Sequence, residues 1–129
     1  MKYLFFDIEC ADGGKATICS FGYVIADMNF KIIKREDIIM NPEGHFFLTG
    51  RAGRPDVPLA YPKETFFRSP KFPKFHSKLK ALLENEEYYI IGHSIGDDVN
   101  YLNKACARYG LEPFKFSYFD TQRMHRELS

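Results

Sequence analysis

The chain has 129 residues, a net charge of +1 and 45% hydrophobic residues. This length suffices for one domain with a hydrophobic core, and the apolar content excludes a disordered chain. The near-neutral charge excludes a strongly basic nucleic-acid-binding tail, although a local basic groove stays compatible with it. The sequence shows neither a signal peptide nor the ~20-residue apolar run of a membrane helix. Its three cysteines lack metal-binding spacing, so we expect free thiols and a soluble cytoplasmic protein without a membrane partner.

The first part of the chain predicts three strands and a long loop. The apolar run at residues 2–9 predicts a strand that is buried on both faces. Residues 16–26, rich in β-branched and aromatic types, predict a second strand, and residues 30–40 a third that forms a hairpin with it. Residues 41–73 hold six of the seven prolines and predict a surface loop with room for one short helix.

The second part of the chain alternates helices and strands. Apolar residues at helical spacing predict helices over residues 73–85 and 95–109, the second ended by Gly110. Strands are predicted at residues 88–93 and 116–119, and a last helix begins at Thr121. The order β-β-β-α-β-α-β-α indicates the α/β class, with a mixed sheet that is parallel in its second half and flanked by helices.

Two carboxylates stand one residue apart at the end of the first predicted strand. Residues i and i+2 of a strand point to the same face, so Asp7 and Glu9 project side by side. Like charges held this close repel each other, and each is stabilised by a nearby cation. The segment Asp7-Ile8-Glu9 is therefore a candidate site for a divalent metal ion.

A second acidic pair, Asp97 and Asp98, opens the helix predicted after residues 88–93. Acids in the first turn of a helix are stabilised by its dipole, typically by ~0.3–1 kcal/mol, so a purely structural role explains this pair by itself. The presence of Asp7 and Glu9 elsewhere in the chain favours a functional role as well.

These segments resemble the motifs of the DEDD superfamily of 3′-5′ exonucleases, in particular the DnaQ-like enzymes similar to the epsilon subunit of DNA polymerase III. Asp7-Ile8-Glu9 matches the first motif, Asn41-Pro42 the end of the third strand, and Phe119-Asp120-Thr121 an Asp-Thr that opens a helix. The second motif, His-Asn-x-x-Phe-Asp, is matched imperfectly by the run from His93 to Asp98, with Ser94 at the Asn position and Asp97 at the Phe position. Its register places the metal-binding Asp on Asp98.

The resemblance implies a ribonuclease-H-like fold and two Mg²⁺ or Mn²⁺ ions that cleave the terminal phosphodiester of DNA or RNA. It implies that Asp7 contacts both ions, Glu9 the ion that activates water, and Asp98 the second ion. The backbone amides of Cys10 and Ala11 are expected to meet the terminal nucleotide. The implied partners are the 3′ end of single-stranded DNA or RNA and, further, a DNA polymerase.

The last motif of the family, which supplies a fourth carboxylate and a general-base histidine, has no match in these 129 residues. We therefore expect a single exonuclease-like domain over residues 1–129, incomplete at its C-terminus, with weak metal binding and little activity. The apolar surface that missing helices would uncover predicts self-association. Two alternatives stay open: a non-catalytic module that binds nucleic acid or a protein, and an endonuclease on the same fold.

Overall fold

The computed structural model describes residues 1–46, 61–92 and 95–122. These described residues form five strands and three helices. In chain order they are β1 (Lys2–Cys10), β2 (Ile18–Ala26), β3 (Ile32–Ile39), α1 (Lys63–Phe67), α2 (Phe72–Leu83), β4 (Tyr88–Gly92), α3 (Ile95–Arg108) and β5 (Phe119–Asp120).

The strands of the described residues form one sheet in the order β3-β2-β1-β4-β5. Strands β1, β2 and β3 pair antiparallel, whereas β4 is parallel to β1 and β5 is parallel to β4. Parallel neighbours require a crossover, and helices α2 and α3 lie in the segments that make it. The predicted mixed α/β sheet, with its parallel second half, is confirmed.

One face of the sheet is buried under α2 and α3. Strand β1 alternates strictly, so Leu4, Phe6 and Ile8 are buried. They join Leu79 and Leu83 of α2, together with residues of α3, in one hydrophobic core. Asp7 and Glu9, at the alternate positions of β1, consequently point to the opposite face.

The opposite face carries a row of aromatic side chains from several strands. Tyr3 stacks on Phe30 with ring centroids 4.6 Å apart and lies 6.0 Å from the ring of Tyr89. Tyr89 in turn contacts Phe119, whose exposed fraction is 54%. This open face fits the predicted self-association, which stays a prediction.

Several strand boundaries differ from the prediction, and β2 begins at Ile18 instead of residue 16. Strand β3 begins at Ile32 because Asp27 caps a longer turn, accepting hydrogen bonds from the amides of Asn29 and Lys31, and Phe30 adopts a left-handed φ of 63°. The last strand is Phe119–Asp120 instead of residues 116–119, because Phe116 packs against the core from an extended segment before it. The helix predicted from Thr121 lies largely outside the described residues.

None of the helices in the described part of the chain is long and apolar enough to cross a membrane.

Gly92 permits a close approach between the end of β4 and the start of α3. A Cβ atom at this position would lie 3.1 Å from the fully buried side chain of Ile95. We expect Gly92→Ala to lower the free energy of unfolding by about 1–3 kcal/mol through overpacking, measured by urea denaturation. Gly96→Ala is the matched control, since a Cβ there meets nothing within 4 Å and should leave stability unchanged or slightly raised. Equal losses in both variants would contradict this role of Gly92.

Candidate active site

Asp7 and Glu9 lie near the carboxyl end of β1, on the face away from the core. Asp7 is paired across the sheet with Gly22 and Glu9 with Ser20. The register shifts directly after Glu9, where Cys10 pairs with Ile18 and the thiol of Cys19 donates to the carbonyl oxygen of Glu9 at 3.4 Å. Such bulges are common beside active sites because they redirect the chain. Both carboxylates are exposed to solvent, as a substrate would require.

Helix α3 brings Asp98 to the same region. Buried Ile95 anchors the first turn of this helix, which leaves Asp97 exposed and Asp98 half-buried. Burial, followed by repulsion from Asp7 and Asp97, raises the pKa of Asp98 to about 7. The Asp98 carboxyl therefore lies within electrostatic reach of Asp7, although about ninety residues separate them in sequence.

The pKa of the Glu9 carboxyl is raised for similar reasons. Burial, repulsion from Asp7 and repulsion from Asp37 raise its pKa above the ordinary value, in that order of importance. Asp7 thus repels both Glu9 and Asp98, so the three predicted ligands form two interacting pairs that share Asp7. A divalent cation between the members of either pair would relieve this repulsion.

The donor set suits a hard cation, with one geometric limit. Within residues 1–46, 61–92 and 95–122, no three His, Cys, Asp or Glu side chains stand close enough together to hold a metal ion. Mg²⁺, however, is commonly bound by one or two carboxylates, several waters and the phosphates of its substrate. The residues therefore fit an ion that binds together with a nucleotide better than one enclosed by protein ligands alone.

A further carboxylate, that of Asp37, lies on this face and was not predicted from the sequence. Asp37 of β3 pairs with Gly22, which in turn pairs with Asp7, so both carboxylates flank a glycine on one face of the sheet. The hydroxyl of Ser20 donates to Asp37 Oδ1 at 3.0 Å, and the hydroxyl of Tyr61 donates to Oδ2 at 2.9 Å. An acid inside the predicted third strand was the available signal, but its partners depend on strand register.

Cys10 and Ala11, the predicted contacts of the terminal nucleotide, follow Glu9 directly. Burial, then the charge of Asp98, raises the pKa of the Cys10 thiol to about 12, so it stays protonated at neutral pH and is a poor nucleophile. The Ala11 amide already donates to the carbonyl oxygen of Thr17 at 2.8 Å, so it would contact a nucleotide only by sharing or releasing that bond. The role of both amides stays a prediction.

Several lysines lie in α2 or directly before it and could bind a phosphate backbone. Most of them form ion pairs with acidic residues of this chain. Lys71 lies 3.3 Å from Glu43, Lys78 lies 2.9 Å from Glu36, and Lys80 lies 2.9 Å from Glu84. These ion pairs favour a structural role for that face. His93 and Ser94 of the imperfect second motif lie outside the described residues.

The fold defined by these elements is that of known nucleases. No family model and no curated protein matches the sequence. A product-bound structure of exonuclease I matches with a TM-score of 0.70 and 15% identity, over 97% of this chain and 31% of that one. E. coli exonuclease I in complex with a dA16 oligonucleotide matches with a TM-score of 0.69 and 15% identity, over 98% and 29%. A complex of exonuclease I with SSB-Ct has a TM-score of 0.71 at the same identity, over 98% and 29%.

The chain thus spans about three-tenths of the length of the exonuclease I structures that it matches. At 15% identity the likeness establishes the fold, and the predicted ribonuclease-H-like α/β sheet is confirmed. The narrower resemblance to the epsilon subunit of DNA polymerase III stays a prediction.

Proposed function

We propose that this chain contributes Asp7, Glu9 and Asp98 to the metal centre of a 3′-5′ exonuclease. The complete centre would hydrolyse terminal phosphodiesters of DNA or RNA and release nucleoside monophosphates. The observation that carries this proposal is the coupling of Asp98, at the start of α3, to Asp7, near the carboxyl end of β1, in a fold shared with exonuclease I. An acid that served only the helix dipole would not need to lie within electrostatic reach of a carboxylate on a strand.

The proposed roles follow the positions of the three carboxylates. Two Mg²⁺ or Mn²⁺ ions, when bound, would activate the attacking water and stabilise the charge that develops on the phosphate. Asp7, which interacts with both neighbours, would contact both ions, Glu9 the first and Asp98 the second. Asp98 must lose its proton to act as a ligand, so metal binding at neutral pH would release protons. Without the histidine and fourth carboxylate of the last motif, we expect weak activity from these 129 residues.

The proposed partner is the 3′ end of a single-stranded nucleic acid. Support comes from exonuclease I, whose structures include complexes with an oligonucleotide and with SSB-Ct. A DNA polymerase partner rests on the sequence resemblance alone. The cytoplasm stays the proposed location, consistent with three free cysteines, Cys10, Cys19 and Cys106.

A non-catalytic binding module is the second candidate. The imperfect second motif, in which Asp97 stands at the Phe position of the family, supports it. A module of this kind would bind nucleic acid through the same face without cleaving it.

Incubation of 5′-labelled single-stranded DNA and RNA with the protein and Mn²⁺ tests both candidates. We expect slow, stepwise shortening from the 3′ end that a blocked 3′ terminus prevents and Asp98→Asn abolishes. Asp97→Asn, the control in the same helical turn, should retain it. Binding without cleavage would support the module, cleavage of end-blocked substrates would indicate an endonuclease, and rapid degradation would contradict the expected weak activity.

A further inference from the structure

A row of polar residues lies between the proposed metal centre and Tyr61. Glu9 is paired with Ser20 in the neighbouring strand, and the Ser20 hydroxyl donates to Asp37 at 3.0 Å. Asp37 accepts a second hydrogen bond from the Tyr61 hydroxyl at 2.9 Å. Asp37 lies two strands from Asp7, a separation of about 10 Å at the usual strand spacing. Gly22 between them has no side chain to divide the face.

Tyr61 is held in one orientation at the edge of this face. Its ring meets the buried ring of Phe66 edge-on, with centroids 6.0 Å apart, and its hydroxyl is fixed by Asp37. The side chain is nevertheless 36% exposed. A phenol has one proton, and a carboxylate is an acceptor only, so that proton is committed to Asp37. The oxygen of Tyr61 therefore offers only lone pairs to anything that enters from solvent.

We infer that Tyr61 is a substrate-positioning residue whose hydroxyl oxygen accepts a hydrogen bond from a sugar hydroxyl of the nucleotide bound at Asp7 and Glu9. This inference rests on the proposed function. A nucleotide whose phosphate is held at Asp7 and Glu9 through a cation, and whose sugar extends towards β3, would place its sugar hydroxyls over the span between Asp7 and Asp37. Sugar hydroxyls are donors that terminal nucleotides share whatever their base, as an enzyme that removes successive nucleotides requires.

Calorimetric titration with nucleoside 5′-monophosphates in the presence of Mn²⁺ tests this role. A neutral hydrogen bond contributes about 1 kcal/mol, so Tyr61→Phe should weaken binding of a ribonucleotide about fivefold. The affinity for the 2′,3′-dideoxynucleotide should not change, because that ligand lacks both donors. Comparison with the 2′-deoxynucleotide identifies the hydroxyl: a retained effect assigns the 3′-hydroxyl, and a lost effect assigns the 2′-hydroxyl.

The controls separate this inference from the function on which it rests. Tyr118→Phe, at a tyrosine of similar exposure, should bind all three ligands like the wild type. Asp37→Asn removes the charge that orients the Tyr61 proton and also acts on Glu9, so it changes the affinity for all three ligands through the metal centre; the ratio of ribonucleotide to dideoxynucleotide affinity, which reports the hydroxyl contact, should fall. If Tyr61→Phe weakens all three ligands equally or none of them, the inference is wrong while the proposed function stands. If the wild type binds no nucleotide with Mn²⁺, both are wrong.

Discussion

Asp7→Asn is expected to abolish Mn²⁺ binding while it stabilises the metal-free protein. Asp7 repels Glu9 and Asp98, and this repulsion contributes to the raised pKa of each. Asparagine keeps the shape of the side chain but removes the charge, so the folded, metal-free state should be stabilised, by less than about 1 kcal/mol because Asp7 is exposed and solvent screens its charge. The same change removes the one carboxylate that both pairs share. If Asp7 had a purely structural role, Asp7→Asn would instead lower the stability of the metal-free protein.

Thermal unfolding with EDTA and with Mn²⁺ measures both effects. A ligand at a hundred times its dissociation constant stabilises a protein by about 2.7 kcal/mol, and this gain should be absent in Asp7→Asn. Glu86→Gln is a suitable control because it removes the same charge from an exposed position in the turn before β4. That turn adjoins the start of β1, where the Lys2 amide bonds to Glu87, at the far end from Asp7. If Mn²⁺ raised the unfolding temperature of Asp7→Asn as much as that of the wild type, the proposed metal centre would be wrong.

Much of the fold was predictable because hydrophobic periodicity and burial coincide. The apolar run of β1, the spacing of Leu79 and Leu83, and Gly110 with its φ of 66° each reflect a local requirement that the structure satisfies. Phe116 was misassigned to a strand because its apolar neighbours satisfy a strand pattern equally well. Its place in the core is decided by packing against Phe6, with ring centroids 6.3 Å apart, which no local pattern contains.

The candidate site likewise contains residues that local sequence patterns predict and residues that they do not. Asp7 and Glu9 share a face through the period of a strand, and Asp98 was selected by its motif, so local rules sufficed to nominate them. Asp37 and Tyr61 were missed because their positions depend on long-range pairing. Asp37 faces the site only through its register with Gly22, and Tyr61 reaches it after an intervening segment of more than twenty residues. Register across a sheet and contacts between segments far apart in sequence are tertiary properties.

Ionisation of Asp98 is expected to lower the stability of the metal-free protein as the pH rises from about 4 to about 7. The pKa of Asp98 is raised from its ordinary value of 3.8 to about 7 in the folded state. Between these values the folded chain binds a proton that the unfolded chain has released, so each increase in pH favours unfolding. The raised pKa of Glu9 acts in the same direction. Since Asp98 is only half-buried, solvent screening limits its contribution to roughly 1 kcal/mol.

Metal reverses this dependence, because a carboxylate must lose its proton before it binds an ion. The rise in unfolding temperature that Mn²⁺ produces should therefore grow as the pH increases towards 8, while in EDTA the ionisation of Asp98 lowers the unfolding temperature. In Asp98→Asn, the unfolding temperature measured in EDTA should depend less on pH, and Mn²⁺ should raise it less than in the wild type. Asp97→Asn should behave like the wild type in both measurements. If the wild type and Asp98→Asn showed the same pH dependence of stability in EDTA, Asp98 would not be held at a raised pKa. Its coupling to Asp7, on which the proposed centre rests, would then lose its support.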